Sequence, residues 1–431
     1  MRLPAFVEIE QQLSSKRVEG LAAAVCRAYG ALGCRGRMKK GARVGIAVGS
    51  RGIDNLPQIV GLMVDILRHA GARPFVLPAM GSHGGSTPEG QTALLESLGV
   101  TPESVGAPVR ASMAVEEFGR TKSGTTVYAS REAFKADGVI LLNRIKQHTD
   151  FTGEYESGLV KMLVIGLGKR EGAIAMHARG CASLRADIPE AAELLLSKLP
   201  ILGGIALLEN GYHQTAEVVG LRPEAILVEE KALLRRARRM AAHFPFPEID
   251  LVVVDWIGKD VSGVGFDTHV IARRMIWGER EFPGSDIHVL AALDLTPGSH
   301  GNGLGLGLAD LVTARLAKKI DWSAVHTNVL HTGFLNRAKM PLTLPNDREL
   351  LGTAMVALGR PDPARVRVVR VADTLQVGRM WVSEGLVPEA RQNPKIRLLG
   401  RPAPLKFDGN GDLERLSRAG AASLWHVPVA R

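Results

Sequence analysis

The sequence predicts an α/β protein of two domains, with a cleft between them and a largely parallel sheet in the N-terminal one. From about residue 43 to 210, short apolar runs alternate with helical stretches, the rhythm of a parallel sheet covered by helices on both faces. The same α/β character returns in a second stretch that begins near residue 249. At 431 residues the chain is also too long for one ordinary core.

The elements follow in order. ARVGIAVGS (42–50) reads as the first strand, LPQIVGLMVDILRHAG (56–71) as a helix, and ARPFVLPAM (72–80) as the next strand. TPEGQTALLESLG (87–99) reads as a helix with Thr87 as N-cap and Pro88 at its first position. GVILLN (138–143) and GGIALLEN (203–210) complete the run of buried strands. A helix near 229–243 ends at HFPFPEID, where two prolines interrupt the pattern. IDLVVVDWIG (249–258) then opens the second domain, followed by DIHVLAALDLT (286–296), a helix near 305–319 and VRVVRVADT (366–374). The expected boundaries are 1–246 and 247–405, with the polar tail 406–431 returning to the first domain.

Composition removes several classes. Hydrophobic residues make up 45% and charged residues 23%, ordinary for a soluble globular protein. Cys26, Cys34 and Cys181 have no metal-type spacing and suit a reducing cytoplasm. The N-terminal MRLPAFVEIEQQLSS lacks the order of a signal peptide, and no apolar run has the roughly 18–20 residues of a membrane span. The net charge of +10 is spread along the chain and aromatics are only 5%, which argues against nucleic acid and for small anionic ligands.

In parallel sheets ligands bind beyond the carboxyl ends of the strands. Three loops start there: GSRGIDN, GSHGGSTPEG and NRIKQHTDF. The glycines around His83 permit a tight turn and close approach to a ligand, and its place before a helix N-terminus suits an anion. His148 follows a strand end. Lys161 lies among apolar neighbours; it is either a snorkelling surface lysine or a desolvated one, whose lowered pKa makes the amine nucleophilic. His177 lies sixteen positions later, after a Gly-rich segment whose GxGxxG-like Gly166 and Gly168 lack the acidic residue expected downstream. Taken singly, His83 is equally a loop side chain bonded to a carbonyl, and His148 equally an exposed loop side chain.

As an ordered set, SRG at 50–52, the GSHGG loop with His83, and the series His148, Lys161, His177 resemble the nickel-dependent lactate racemase family. The resemblance runs the length of the chain and is strongest from 42 to 180. Members of that family racemise or epimerise 2-hydroxy acids, so the resemblance implies an isomerase. It implies a cofactor, the nickel-pincer nucleotide: a pyridinium-3-thioamide-5-thiocarboxylic acid mononucleotide with Ni(II). Lys161 would carry it as a thioamide, and His177 would complete a square-planar set of sulfur, carbon, sulfur and imidazole, donors that suit Ni(II). His83 and His148 would be acid/base catalysts on opposite faces of the substrate, Ser50 a cofactor contact, and Arg51 the bidentate clamp for the substrate carboxylate.

That chemistry needs these residue types. Carbon 2 of a 2-hydroxy acid holds an unactivated C–H bond, easier to break as a hydride if the hydroxyl proton leaves concurrently. The product is a planar 2-keto acid, and hydride return to its other face inverts the centre. One base per face is then required, with a pKa near neutrality. The implied partners are the hydroxy acid and the enzymes that make the cofactor, with no nucleic acid and no membrane, in the cytoplasm. The first domain would hold the cofactor and the second would face the substrate.

Departures from the family pattern limit the expectation. Val48 stands where the family has an aspartate, and SGVGFDTHVIARRM (262–275) offers His269, Arg273 and Arg274 in place of a glutamine and a lysine. LTPGSHGNGLG (295–305) adds His300 and Asn302; Lys259 and Lys339 are weaker candidates. Basic donors of this kind suit a larger or more acidic hydroxy acid, such as a sugar acid or dicarboxylate. The alternatives are an oxidoreductase using an exchangeable nicotinamide dinucleotide, or a non-catalytic binding protein on the same fold.

Overall fold

This computed structural model describes residues 2–34, 36 and 38–418. They fall into two α/β units, residues 15–241 in one and residues 2–14 with 242–418 in the other. Strand β1 (Ala5–Gln11) belongs to the second unit. The first unit contains β2 (Arg43–Val48), β3 (Arg73–Pro78), β4 (Val115–Arg120), β5 (Thr126–Ser130), β6 (Gly138–Arg144), β7 (Ile201–Glu209) and β8 (Thr215–Leu221). Its sheet has the order β3-β2-β6-β7-β8, parallel except for β8; β4 and β5 form a separate hairpin.

Burial on both faces explains the continuous apolar runs. All nine residues of β7 are buried, as are five of the six in β2. On one face Val44, Ile46, Val48, Ile140 and Leu142 share a core with Ile59, Val60, Met63, Val64 and Leu67. Those last five form the apolar stripe of the helix Leu56–His69, at the spacing that keeps one helical face inward. Truncating one of them, Met63→Ala for instance, costs about 2–5 kcal/mol. Close approach elsewhere demands glycine: a Cβ at Gly204 of β7 would stand 2.5 Å from Leu159 Cδ1. That contact seats the Lys161 segment on the sheet.

The second unit contains β9 (Glu248–Ile257), β10 (Asp286–Leu295), β11 (Leu311–Thr313), β12 (Leu342–Leu344), β13 (Val368–Val371), β14 (Arg379–Ser383), β15 (Ile396–Leu398) and β16 (Ala403–Pro404). Its order is β12-β11-β10-β9-β13-β14-β1-β15, with β16 also on β1. The first five strands are parallel, and β14, β1, β15 and β16 pair antiparallel.

Three expectations differ from this arrangement. First, the chain crosses into the second unit near 242 and also begins there. Phe244 and Phe246, flanking the first proline of HFPFPEID, are already in its core with Val7 and Ile9 of β1. Second, the described part of the tail, up to 418, lies on the second unit. Leu413 is buried with Leu350, Leu351 and Ala354, the Leu416 amide donates to Asp255, and Arg415 pairs with the buried Asp347. Two buried carboxylates and an apolar cluster give the tail its partners there; residues 419–431 lie outside the described residues. Third, the helix expected near 305–319 is broken. Gly305 has a φ of 98°, and a Cβ at Gly307 would meet the Asn336 carbonyl at 2.1 Å, so the chain turns, enters β11 and is helical only at Ala314–Lys318. Among the described residues no helix is long and apolar enough to cross a membrane.

Candidate active site

The His83 loop follows β3 and is shaped by two glycines. Gly84 has a φ of 66°, and a Cβ there would lie 2.5 Å from the Gly90 carbonyl carbon. A Cβ at Gly90 would come 1.9 Å from the Gly84 oxygen. The loop therefore folds directly onto the helix Pro88–Ser97, whose N-cap Thr87 accepts from the Gly90 amide. His83 itself is exposed, and its Nδ1 is hydrogen-bonded to Ser50 Oγ at 2.5 Å. Loops after β2 and β3 thus meet at this pair.

Lys161 is held from both sides of its backbone. It ends the short helical segment Leu159–Lys161, which continues into a widened π-type turn, Met162–Gly166. The Glu230 carboxylate accepts from the amides at the start of that segment, 3.0 Å from Val160 N. Asn143 Nδ2 donates to the Gly158 carbonyl at 3.0 Å. Glycine at 158 leaves room for that carboxylate, because a Cβ would stand 2.2 Å from Glu230 Oε1. Burial pushes the Glu230 carboxyl up to about 7, with the Val160 and Leu159 amides opposing.

The Lys161 amine makes a close hydrogen bond with His148 Nε2. His148 is buried against Phe151, and its Nδ1 accepts from the Asp150 amide at 3.0 Å. An accepting Nδ1 carries no proton, so a neutral ring bears its proton on Nε2 and points it at Lys161. Two donors cannot share that contact, so it is satisfied once the lysine has lost its proton and accepts. Desolvation eases that loss. Burial lowers Lys161 to about 8, with Asp150 opposing and Arg51 assisting. Burial and the Lys161 charge hold His148 well below its usual range.

His177 is the last residue of the helix Lys169–His177. Its Nδ1 lies 2.7 Å from the Ala173 carbonyl and donates to it, which leaves Nε2 with the lone pair, the tautomer of a metal ligand. Burial, followed by the Lys161 charge, lowers its pKa. Arg51 is open to solvent yet hemmed by protein, as in a concavity. Desolvation and the charge of Arg144, itself in a close ion pair with Glu209, lower its pKa. Mutual electrostatic influence among Arg51, His148, Asp150, Lys161 and His177 puts them in one neighbourhood, and Ser50 ties His83 to it.

Sequence reasoning missed Asp150, Arg144 and Glu230. The first two lie in or beside NRIKQHTDF, a loop already marked, but Glu230 comes from a helix about seventy positions on and left no local signal. The glycines of GLGK turn out to serve packing. Cβ atoms at Gly166 and Gly168 would meet the Ala79 and Val164 carbonyls at 2.6 and 2.3 Å. That removes the main feature favouring a dinucleotide loop.

In the second unit the basic candidates have internal partners. Arg273 donates to Asp310 and to the carbonyls of Leu308, Ile287 and His288. Arg274 is buried, stacked on Phe282 and bonded to the Arg280 carbonyl. Lys259 donates to the Gly263 carbonyl and Asn328, and His269 is buried against Phe282. Asn302 accepts from Leu304 N and so shapes its own loop. His300 and Lys339 are exposed, His300 at a φ of 47°.

The geometry gathers a desolvated lysine and two buried or part-buried histidines, with an arginine close by, on an α/β scaffold. Residues 14–188 match the family model of the lactate racemase N-terminal domain. The fold is similar to that of the lactate racemase apoprotein from Thermoanaerobacterium thermosaccharolyticum, with a TM-score of 0.51 and 14% identity. That likeness covers 86% of this chain and 99% of the other, and at this identity it is one of fold. No curated protein matches the chain.

Proposed function

We propose that the chain is a racemase or epimerase of a 2-hydroxy acid that carries a lysine-linked nickel-pincer nucleotide. The observation that carries this reading is the buried Lys161, whose amine loses its proton more readily than an ordinary lysine, beside His148, with His177 presenting an unprotonated Nε2 in the same neighbourhood. These donors fit the group: an amine that can be acylated, and an imidazole that can complete a metal set whose other donors the cofactor brings. When bound, the cofactor supplies a hydride acceptor beside nickel.

The chain's own residues do the rest. Arg51 receives the substrate carboxylate in two parallel hydrogen bonds, which places carbon 2. His83 and His148 take and return the hydroxyl proton, one for each enantiomer. Linkage at Lys161 removes the ammonium charge that holds His148 down, so the ring moves back towards a useful basicity. Ser50 fixes the His83 ring through Nδ1 and would contact the cofactor when it is bound. Among the second-unit candidates His300 is exposed. Arg273, Arg274 and Asn302 could contribute only by giving up bonds they already make. The three free cysteines suit the cytoplasm, where the enzymes that make the cofactor would load it.

The test is expression together with the cofactor-making enzymes, followed by intact-mass and metal analysis. A covalent adduct mapped to Lys161 with about one nickel per chain is expected from a single metal-ligating imidazole. An unmodified Lys161 in a nickel-free protein would remove the proposal. A screen of hydroxy acids with chiral detection then identifies the substrate.

A further inference from the structure

Lys169 takes no part in the chemistry above, yet it is the most constrained lysine near the site. Its side chain is fully buried, at 0% exposure. Its backbone sits at a φ of 55°, a conformation that side chains other than glycine rarely adopt. Its Nζ donates to the Pro78 carbonyl at 2.6 Å, at the end of β3, and to Gln91 Oε1 at 2.9 Å. Gln91 is itself fully buried, and its Nε2 donates to the carbonyls of Gly81 at 2.9 Å and His83 at 3.4 Å. Lys169 also begins the helix that ends in His177.

One buried amine therefore joins three things: the end of β3, the carbonyls on either side of the His83 turn, and the His177 helix. Stability alone does not explain it. A methionine fills nearly the same volume without the cost of burying an ionisable group. We propose that Lys169 is a positioning residue: through Gln91 it sets the His83 loop against the helix that ends in His177, so that both imidazoles keep a common spacing. The value of that spacing rests on the racemase reading, but the linkage does not.

Two variants test it, Lys169→Met and Gln91→Glu. The second keeps the acceptor for Lys169 and removes the donor to Gly81 and His83, so it decides the matter if Lys169→Met fails to fold. Hydrogen exchange is followed on the full chain without cofactor. The amides of Gly81 and His83, which donate to Gly166 and Met80 carbonyls, are expected to exchange about tenfold faster, as local opening becomes easier. The helices Leu56–His69 and Gly180–Lys198 should exchange as before. In the loaded enzyme, kcat should fall by about tenfold or more with KM nearly unchanged and the Lys161 adduct intact, as for a misplaced acid/base group. Unchanged exchange at Gly81 and His83, or faster exchange spread evenly over residues 15–241, overturns the proposal. Since exchange is read without cofactor, a failed racemase reading would show separately, as an unmodified Lys161.

Discussion

At the scale of single residues, the site depends on protonation states that burial sets. An ordinary lysine is reactive only near pH 10 or above, as its pKa of about 10.4 requires. Lys161, lowered to about 8, deprotonates earlier. Its modification by an amine-selective reagent, followed by peptide mass mapping, should therefore rise through pH 8, ahead of the exposed lysines. A titration midpoint near 10 for this residue would show that the amine is not desolvated. Roles also separate by substitution. His83→Ala should lower kcat by roughly 10²–10⁴-fold while the Lys161 adduct still forms. His177→Ala should lose nickel on dialysis with the adduct retained. His83, His148, Lys161 and His177 were legible in the sequence because glycine-rich or apolar surroundings mark them. Lys169, Gln91 and Glu230 were not, since nothing local distinguishes a buried polar residue from an exposed one.

At the scale of elements, the Lys161 segment is held by a carboxylate from a distant helix. Glu230 has a folded pKa of about 7 against 4.5 for the ordinary group. Between those values the folded chain keeps a proton that the unfolded chain has released, so stability falls as pH rises through that window. The loss amounts to about 3 kcal/mol across it. Urea midpoints of the wild type and Glu230→Gln, compared at pH 5 and pH 8, should differ in slope. The wild type should lose more stability towards pH 8, and parallel behaviour would place the Glu230 pKa near its usual value. The strands and helices of the first unit follow the apolar periodicity closely, with Arg43–Val48 inside 42–50 and Leu56–His69 inside 56–71. The helix expected near 305–319 did not form, because periodicity does not register that Gly307 lies against the Asn336 carbonyl.

At the scale of the molecule, the first strand serves the second unit. β1 pairs with β14, β15 and β16, while the rest of the N-terminal half folds as residues 15–241. Deleting residues 1–11 would leave the facing edges of β14 and β15 unpaired and take Ile9 out of its core. Unfolding should then split. Calorimetry should show the transition of the second unit lowered and that of residues 15–241 in place, with exchange assigning each transition to its unit. A shift of both transitions together would mean that the units unfold as one.

Continuous apolar runs and helical stripes determined the α/β class and the strands that carry the site, because a sheet buried on both faces admits few other patterns. The ordered histidines and lysine, with their glycine-bearing loops, determined which residues to compare with a known family. The tertiary structure alone decided that β1 and the described tail belong to the second unit, since β1 pairs with strands near the other end of the chain and the buried Asp255 finds Leu416, 161 positions away. It alone decided the states of the site: a hydrogen bond from the Asp150 amide makes His148 a donor towards Lys161, and burial eases the loss of the lysine's proton. Desolvation and proton placement are properties of an enclosed space, and the linear chain has none.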